Sequence, residues 1–320
     1  MPQNPAISIL VPLYKAAPFV DNLVVDLKAL PFSRLEVVFA DQHRLDDAVE
    51  RLAEAFREDP RVRIIATNNA LRWWENYEFL LNEACGDWVM ILSQDNRLPS
   101  RSLEAAVEAL AYHPEAIAVY GPVDTIDAEG TVLVYSPRRT SPRRLSGARW
   151  AAASALGHIA GVTHPSAKLG LFRIDVARGQ MPAIPETEGH TGLSTTLWVF
   201  DMLLRGPILF CPSFIVHNRV HPNSFTSLIN SRTPRWQWRR LVSFFAEARL
   251  IWQRRFQARP FAQRFGTPLL GIAIFGLLLP LRIIQRGGRK ARISARLRIS
   301  SHKRDEPHHP AEMPPPRNEQ

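Results

Sequence analysis

The first 135 residues alternate between short continuous apolar runs and stretches whose apolar positions recur every three or four residues. Ile7-Ser8-Ile9-Leu10-Val11 is a β-branched run bounded by Pro5 and Pro12, and it predicts a strand. Phe19, Val20, Leu23, Val24 and Leu27 follow at helical spacing. Leu35–Ala40 predicts a second strand, and Val49, Leu52, Ala53 and Phe56 a second helix with Asp46 or Asp47 at its N-cap. Val62–Ala66 is a third strand. Leu71, Trp74, Leu81 and Ala84 stripe a third helix, ended by Gly86. Trp88–Leu92 is a fourth strand, Leu103, Ala106, Val107 and Leu110 mark a fourth helix after Ser100, and Ala116–Tyr120 is a fifth strand. Val123–Asp127 and Thr131–Tyr135 read as a hairpin around Glu129-Gly130. Continuous apolar strands separated by amphipathic helices predict an α/β fold with a mainly parallel sheet covered on both faces.

Such sheets place ligands at the carboxyl ends of their strands. There the chain is polar: Pro12-Leu13-Tyr14 after the first strand, Asp41 and Asp46 after the second, Asn68-Asn69 after the third, and Ser93-Gln94-Asp95-Asn96 after the fourth. Any single Asp after a strand is commonly a turn residue or helix cap. Four polar ends on one edge point to a binding cleft, where a carboxylate is a hard oxygen ligand for Mg²⁺ or Mn²⁺. A metal there would neutralise a diphosphate.

Composition bounds the class. With 46% apolar and 22% charged residues, 320 residues can bury a core, which excludes disorder over most of the length. Two cysteines, Cys85 and Cys211, exclude a disulfide scaffold or a cysteine zinc site. No basic stretch precedes the first apolar run and no cleavage site follows it, so a cytoplasmic protein without a signal peptide is expected. There is no G-x-x-x-x-G-K-[ST], G-x-S-x-G or G-x-G-x-x-G. Residues 1–230 carry a net charge of −4 and residues 231–320 one of +14, so the basic character belongs to the tail. A nucleic-acid-binding core would carry its positive charge on the folded body.

The stretch from Ile7 to Leu98 resembles the nucleotide-sugar-binding half of the inverting GT-A glycosyltransferases of family 2. "SILVPLYKAAPFV" is similar to that family's opening strand and turn, "LEVVFADQHRLDDAVERL" to its second strand, acidic turn and helix, and "NNALRWWENYEFLLNEACGDWVMILSQDNRL" to the helix and strand that lead into its D-x-D motif. "GVTHPSAKLGLFR" and "LLRGPILFCPSFIVHNRVHPNS" extend the resemblance to roughly residue 227. It implies a Rossmann-like sheet with flanking helices, a nucleotide-diphosphate sugar donor and a divalent metal (Mg²⁺ or Mn²⁺). Asp41 would bind the base or ribose, with Pro12 and Tyr14 lining the same pocket, while Asp46 would serve to cap the helix. Asp95 would hold the metal and diphosphate, with Gln94 beside it. Asn69 and Asn76 fall near positions that contact nucleotide or sugar. Arg219 would lie in a basic loop over the diphosphate, and His221 would be a second metal ligand.

Three departures stand out. Ser93 replaces the first acid of D-x-D, and the acidic turn reads Asp41-Gln42-His43-Arg44 in place of a small Gly-Ser pair after the acids. The family's acid about twelve residues before an "LRG" sequence is also missing: counting back from Leu204-Arg205-Gly206 reaches Ser194-Thr195. Glu188, Glu186 and His190 in "PETEGHTG" are the nearest candidates for a general base, Glu188 first. Solvated loop charges are an equal alternative reading of the two glutamates. Asp201 is expected to form a structural salt bridge, and the cluster Arg138, Arg139, Arg143 and Arg144 to be a solvated loop or a contact for lipid phosphates or the acceptor.

The C-terminal part is of another kind. Residues 235–259 mix Trp236, Trp238, Phe244, Phe245, Leu250, Ile251, Trp252 and Phe256 with arginines at roughly helical spacing. Phe265–Leu281 follows without a charge, bracketed by Arg264 and Arg282. It falls just short of the ~20 residues of a membrane span and fits an in-plane or re-entrant segment, or a helix packed on the catalytic body. Three regions are therefore expected: a GT-A domain at 1–230, a basic amphipathic membrane-associating region at 231–300, and a disordered tail at 301–320. The expected protein is a hexosyltransferase-type enzyme at the inner face of the cell membrane. It takes a saccharide or lipid-linked acceptor for envelope polysaccharide or glycolipid synthesis and binds no nucleic acid. A non-catalytic relative that binds nucleotide sugar or glycan, or scaffolds a membrane complex, is the alternative, and the missing acid at Ser194-Thr195 is its support.

Overall fold

The computed structural model describes residues 7–41, 44–66, 71, 73–136, 143–145, 169–178 and 205–221. The strands are β1 (Ile7–Leu13), β2 (Leu35–Asp41), β3 (Val62–Ala66), β4 (Trp88–Ile91), β5 (Ala118–Tyr120), β6 (Val123–Ile126), β7 (Val132–Val134), β8 (Arg143–Leu145), β9 (Leu171–Arg173), β10 (Ile208–Phe210) and β11 (Val216–Arg219). The helices are α1 (Val20–Lys28, entered through a 3-10 turn at Ala17–Phe19), α2 (Ala48–Ala55), α3 (Trp73–Glu83), α4 (Ser100–Tyr112) and the single turn α5 (Ile174–Ala177).

Eight strands form one sheet in the order β3-β2-β1-β4-β9-β5-β10-β8. Parallel pairing joins β3, β2, β1 and β4, and separately β5 and β10. The reversed strand β9 is inserted between β4 and β5, antiparallel to both, and β8 runs antiparallel at the far edge. A second sheet, β11-β6-β7, carries the expected hairpin, with β11 parallel to β6. The chain is thus mixed α/β with a mostly parallel central sheet.

The core follows from the two-residue period of a strand. Ile9, Val11, Val37, Phe39 and Met90 face one side, packed with Leu23 and Leu27 of α1, Leu52 of α2 and Leu103 of α4. Leu10, Val38, Ala40, Val89 and Ile91 face the other, against Leu80 and Leu81 of α3 and Val176 of α5. Both faces being covered explains why these strands read as unbroken apolar runs.

Three details differ from the sequence expectations. First, β1 continues through Pro12 to Leu13, in register with Ala40 and Asp41 of β2. Leu10 accepts the Leu92 N–H, so Pro12, two residues on, turns its missing donor toward β4, whose pairing has by then ended. Second, Gly86 does not end a helix. Its N–H donates to Ser8 Oγ (2.7 Å), and a Cβ there would lie 2.7 Å from Ser8 N and 2.8 Å from Ile7 C. The end of α3 is instead held by Arg178, which donates to the carbonyls of Leu81 (3.0 Å) and Ala84 (2.5 Å). Third, Arg143 and Arg144 lie on β8, where the Arg144 guanidinium is 3.9 Å from Glu115 Oε1. The division near residue 230, the amphipathic region and the tail lie outside the described residues. Among the described residues, no helix is long and apolar enough to cross a membrane.

Candidate active site

The strand order reverses direction between β1 and β4, because β2 and β3 extend the sheet one way and β4 the other. A crevice opens at the carboxyl ends of the strands at such a point. Here the two strand ends are stapled together. Gln94 Oε1 accepts the Tyr14 N–H (2.7 Å), and Gln94 Nε2 donates to the Tyr14 carbonyl (2.6 Å). Pro12 sits in the same strand end. The Tyr14 ring is exposed, with the Lys15 ammonium 5.9 Å from its centroid.

Asp41 closes β2 and is buried. Its Oδ1 accepts the Arg44 N–H (2.8 Å), which Arg44 reaches with a left-handed backbone at φ 44°. Lys15 is left-handed as well, at φ 51°. Two non-glycine residues in this region, at the ends of adjacent strands, mark local strain of the kind that gathers at binding sites. Asp46 does more than start α2. Its Oδ1 accepts the Ala48 N–H (3.2 Å) while its Oδ2 accepts the Ala17 N–H (2.9 Å), tying the loop after β2 to the loop after β1. Asp47 occupies the N-cap position without a side-chain cap bond.

After β4 the chain makes a tight turn, in which Asn96 N–H donates to the Ser93 carbonyl (2.9 Å). Asp95 stands third in that turn, and its Oδ2 lies 3.4 Å from His221 Nε2. Both side chains are partly exposed, at 21% and 16%, so the pair is reachable from solvent. Phe19 packs against the His221 imidazole, ring centroids 5.2 Å apart. The two atoms that could hold a metal are therefore together, one carboxylate oxygen and one imidazole nitrogen. Among the described residues no group of three or more His, Cys, Asp and Glu gathers around an ion-sized space.

Arg219 is placed differently from a residue lying over a diphosphate. It is buried, and its guanidinium donates to the main-chain carbonyls of Asp95 (2.9 Å), Asp127 (3.0 Å) and Ala128. Its own N–H donates to Asn96 Oδ1 (3.2 Å). Burial and the nearby Arg97 charge push its pKa down. Arg219 thus supports the Asp95 turn from inside. Asn76 is buried on α3. Asn69, Glu186, Glu188 and His190 lie outside the described residues.

Sequence reasoning passed over Tyr77. It is buried on α3, close enough to Ser93 for that side chain to act on its hydroxyl. Burial first, and then the Asp95 charge, push its pKa up to about 12, against the opposing effect of Ser93. Where the resemblance leads one to expect a second carboxylate, this chain has two neutral hydroxyls. An aromatic polar residue on the buried stripe of α3, between Trp74 and Leu81, was the signal available.

Residues 8–167, half of the chain, match the model of the family described as Glycosyl transferase family 2. The chain belongs to this family. A similar sequence is "Uncharacterized protein y4gI" of Sinorhizobium fredii, 26% identical over 130 residues. Those residues are 40% of this chain but 14% of that protein, so the chain spans a small part of its relative's length. Among solved structures, S. aureus TarS 1–349 in complex with UDP-GlcNAc is similar at 15% identity and a TM-score of 0.59, covering 81% of this chain and 69% of that one. TarS 1–349 alone is similar at 14% identity and a TM-score of 0.52, covering 95% and 93%. At such identities the likeness is one of fold.

Proposed function

We propose that this protein transfers a sugar from a nucleotide-diphosphate donor to a hydroxyl acceptor with inversion at the anomeric carbon. The observation that carries this reading is the meeting of Asp95 and His221 beside the stapled ends of β1 and β4. TarS, which shares the fold, was crystallised with UDP-GlcNAc, so a uridine-diphosphate sugar is the first donor to test.

Asp41 would receive the ribose or base, with the exposed Tyr14 ring as a surface for the base. A carboxylate and an imidazole suit one divalent ion, Mn²⁺ better than Mg²⁺, with water and diphosphate oxygens as the remaining ligands. Asp95 and His221 would hold it, and the ion when bound supplies Lewis-acid stabilisation of the leaving diphosphate. In the displacement the acceptor oxygen bonds to the anomeric carbon, the bond from that carbon to the diphosphate oxygen breaks, and the acceptor proton goes to a base. Glu188, Glu186 or His190 would take that proton.

A transfer and hydrolysis screen of UDP-sugars with Mn²⁺ tests the activity. In it, one of Glu188→Gln, Glu186→Gln or His190→Ala is expected to lower turnover by about 10²–10⁴-fold with donor affinity little changed. Full turnover in all three variants would remove the base from this loop. A wild type that turns over no donor with any acceptor would favour a non-catalytic binding protein.

The acceptor is proposed to be a membrane-borne saccharide, because residues 231–320 join a net charge of +14 to the apolar run Phe265–Leu281. Each cation near an anionic surface contributes about 1 kcal/mol. Removal of residues 231–320 is expected to abolish flotation with anionic liposomes. Equal flotation of the shortened and full-length chains would show that the tail is not the anchor.

A further inference from the structure

We propose that Arg97 and Asp26 are positioning residues that set Asp95 against His221. The inference rests on the donor-site reading above and extends it to residues outside the crevice.

The turn after β4 is tied down residue by residue. Ser93 meets Tyr77, Gln94 meets Tyr14, and Asn96 accepts from Arg219. Arg97 is tied most heavily of all. Its Nε donates to Asp26 Oδ2 (2.7 Å), its Nη2 to Asp26 Oδ1 (2.6 Å) and its Nη1 to Asn22 Oδ1 (2.8 Å). This is the two-pronged pairing that a guanidinium makes and an ammonium cannot. Asp26 is 8% exposed, and its Oδ2 also accepts the Leu98 N–H (3.0 Å). A single carboxylate on α1 therefore grips both residues that follow Asn96.

The main chain of Arg97 makes a second connection. It exchanges two hydrogen bonds with His217 of β11, N–H to carbonyl in each direction, at 3.0 and 3.1 Å. His217 stands four residues before His221, and Arg97 two residues after Asp95. Arg97 is thus the junction between helix α1, the turn bearing the carboxylate and the strand leading to the imidazole. α1 is itself braced at its other end, where Arg51 of α2 donates to Asp21 (2.7 Å) and to the Ala17 carbonyl (2.8 Å). A shift of the Arg97 side chain moves the Asp95 carboxylate and the His221 imidazole relative to each other, although neither Arg97 nor Asp26 is one of these two groups.

The test uses the full chain and three variants: Arg97→Lys, Asp26→Asn and the milder Asn22→Ala. Circular dichroism establishes that each is folded. The His221 imidazole resonances of the ligand-free protein, at fixed pH, report its surroundings. Uridine diphosphate is then titrated with and without Mn²⁺. In Arg97→Lys and Asp26→Asn we expect displaced His221 resonances and about tenfold loss of the Mn²⁺-dependent part of the affinity. Affinity without metal should stay as in the wild type, a separation that a general loosening of the fold would not produce. Asn22→Ala should change the same readouts in the same direction by less, and it decides the matter if the other two fail to fold. Folded variants with unmoved His221 resonances would overturn the positioning role. Failure of the wild type to bind uridine diphosphate would instead overturn the donor-site reading, while the resonances still decide the role of Arg97.

Discussion

Asp95→Ala is expected to lower sugar transfer by about 10²–10³-fold, the scale seen when one preorganised group facing developing charge is removed. Asp95 is the one carboxylate of the turn after β4, and without it the His221 imidazole loses the carboxylate that lies 3.4 Å from it. The fold should survive. The turn is held by the Asp95 main-chain carbonyl, which Arg219 engages, and by the side chains of the neighbouring residues. Turnover of a UDP-sugar, together with titration of uridine diphosphate with and without Mn²⁺, checks both statements. A variant that keeps metal-dependent affinity would remove Asp95 from the site.

The parts of this site that sequence reveals are those where local chemistry breaks an apolar pattern. Asp41 is conspicuous because it ends a run of buried apolar residues, and Asp95 because it stands in the polar turn just after one. Gln94 is visible by position, but its two bonds to the Tyr14 main chain depend on β1 and β4 being neighbours, 80 residues apart. Asp26 is hidden because it sits within the stripe Leu23, Val24 and Leu27, where a helix reading records only the apolar face. Its partner Arg97 lies 71 residues away. Arg219 shows the same limit from the other side. Its sequence context suggests a ligand contact, yet it lies 124 residues from the Asp95 carbonyl it binds, and its burial follows from the packing of β11 on β6. In the fold, the long strands were legible, whereas β8, β9 and β10 are three residues each and take their conformation from the sheet they join.

Gly121→Ala is expected to cost about 3 kcal/mol of stability or more, at the upper end of what overpacking does. Gly121 follows β5 where the chain passes the connection between β10 and β11. A Cβ there would run into the Phe214 carbonyl oxygen and lie 2.7 Å from Phe214 C and 2.8 Å from Cys211 O. All three are main-chain atoms, fixed by bonds from Cys211 N to the Tyr120 carbonyl (2.7 Å) and from Val216 N to the Pro122 carbonyl (3.1 Å). No side chain can turn aside to make room. Gly206→Ala is the comparison, since its Cβ would meet the Ile117 side chain, nearest at the methyl Cγ2, at 2.8 Å. Denaturant unfolding of the two variants should separate them clearly. A loss at Gly121 no larger than at Gly206 would mean that the connection yields.

The reversed strand β9 has a consequence for how the chain is made. β1 to β4 are assembled from the first 91 residues by local crossovers, and the free edge of β4 is then closed by β9. Eighty positions separate Ile91 from Leu171. At roughly 5–20 residues per second, a ribosome takes about 4–16 s to supply them. Throughout that interval the nascent half-sheet presents Trp88, Val89, Met90 and Ile91 as an unpaired apolar edge, the kind of surface on which strands of other chains add. Synthesis is thus a stage at which this fold is open to aggregation, and chaperone dependence should be strongest for chains halted between residues 91 and 171.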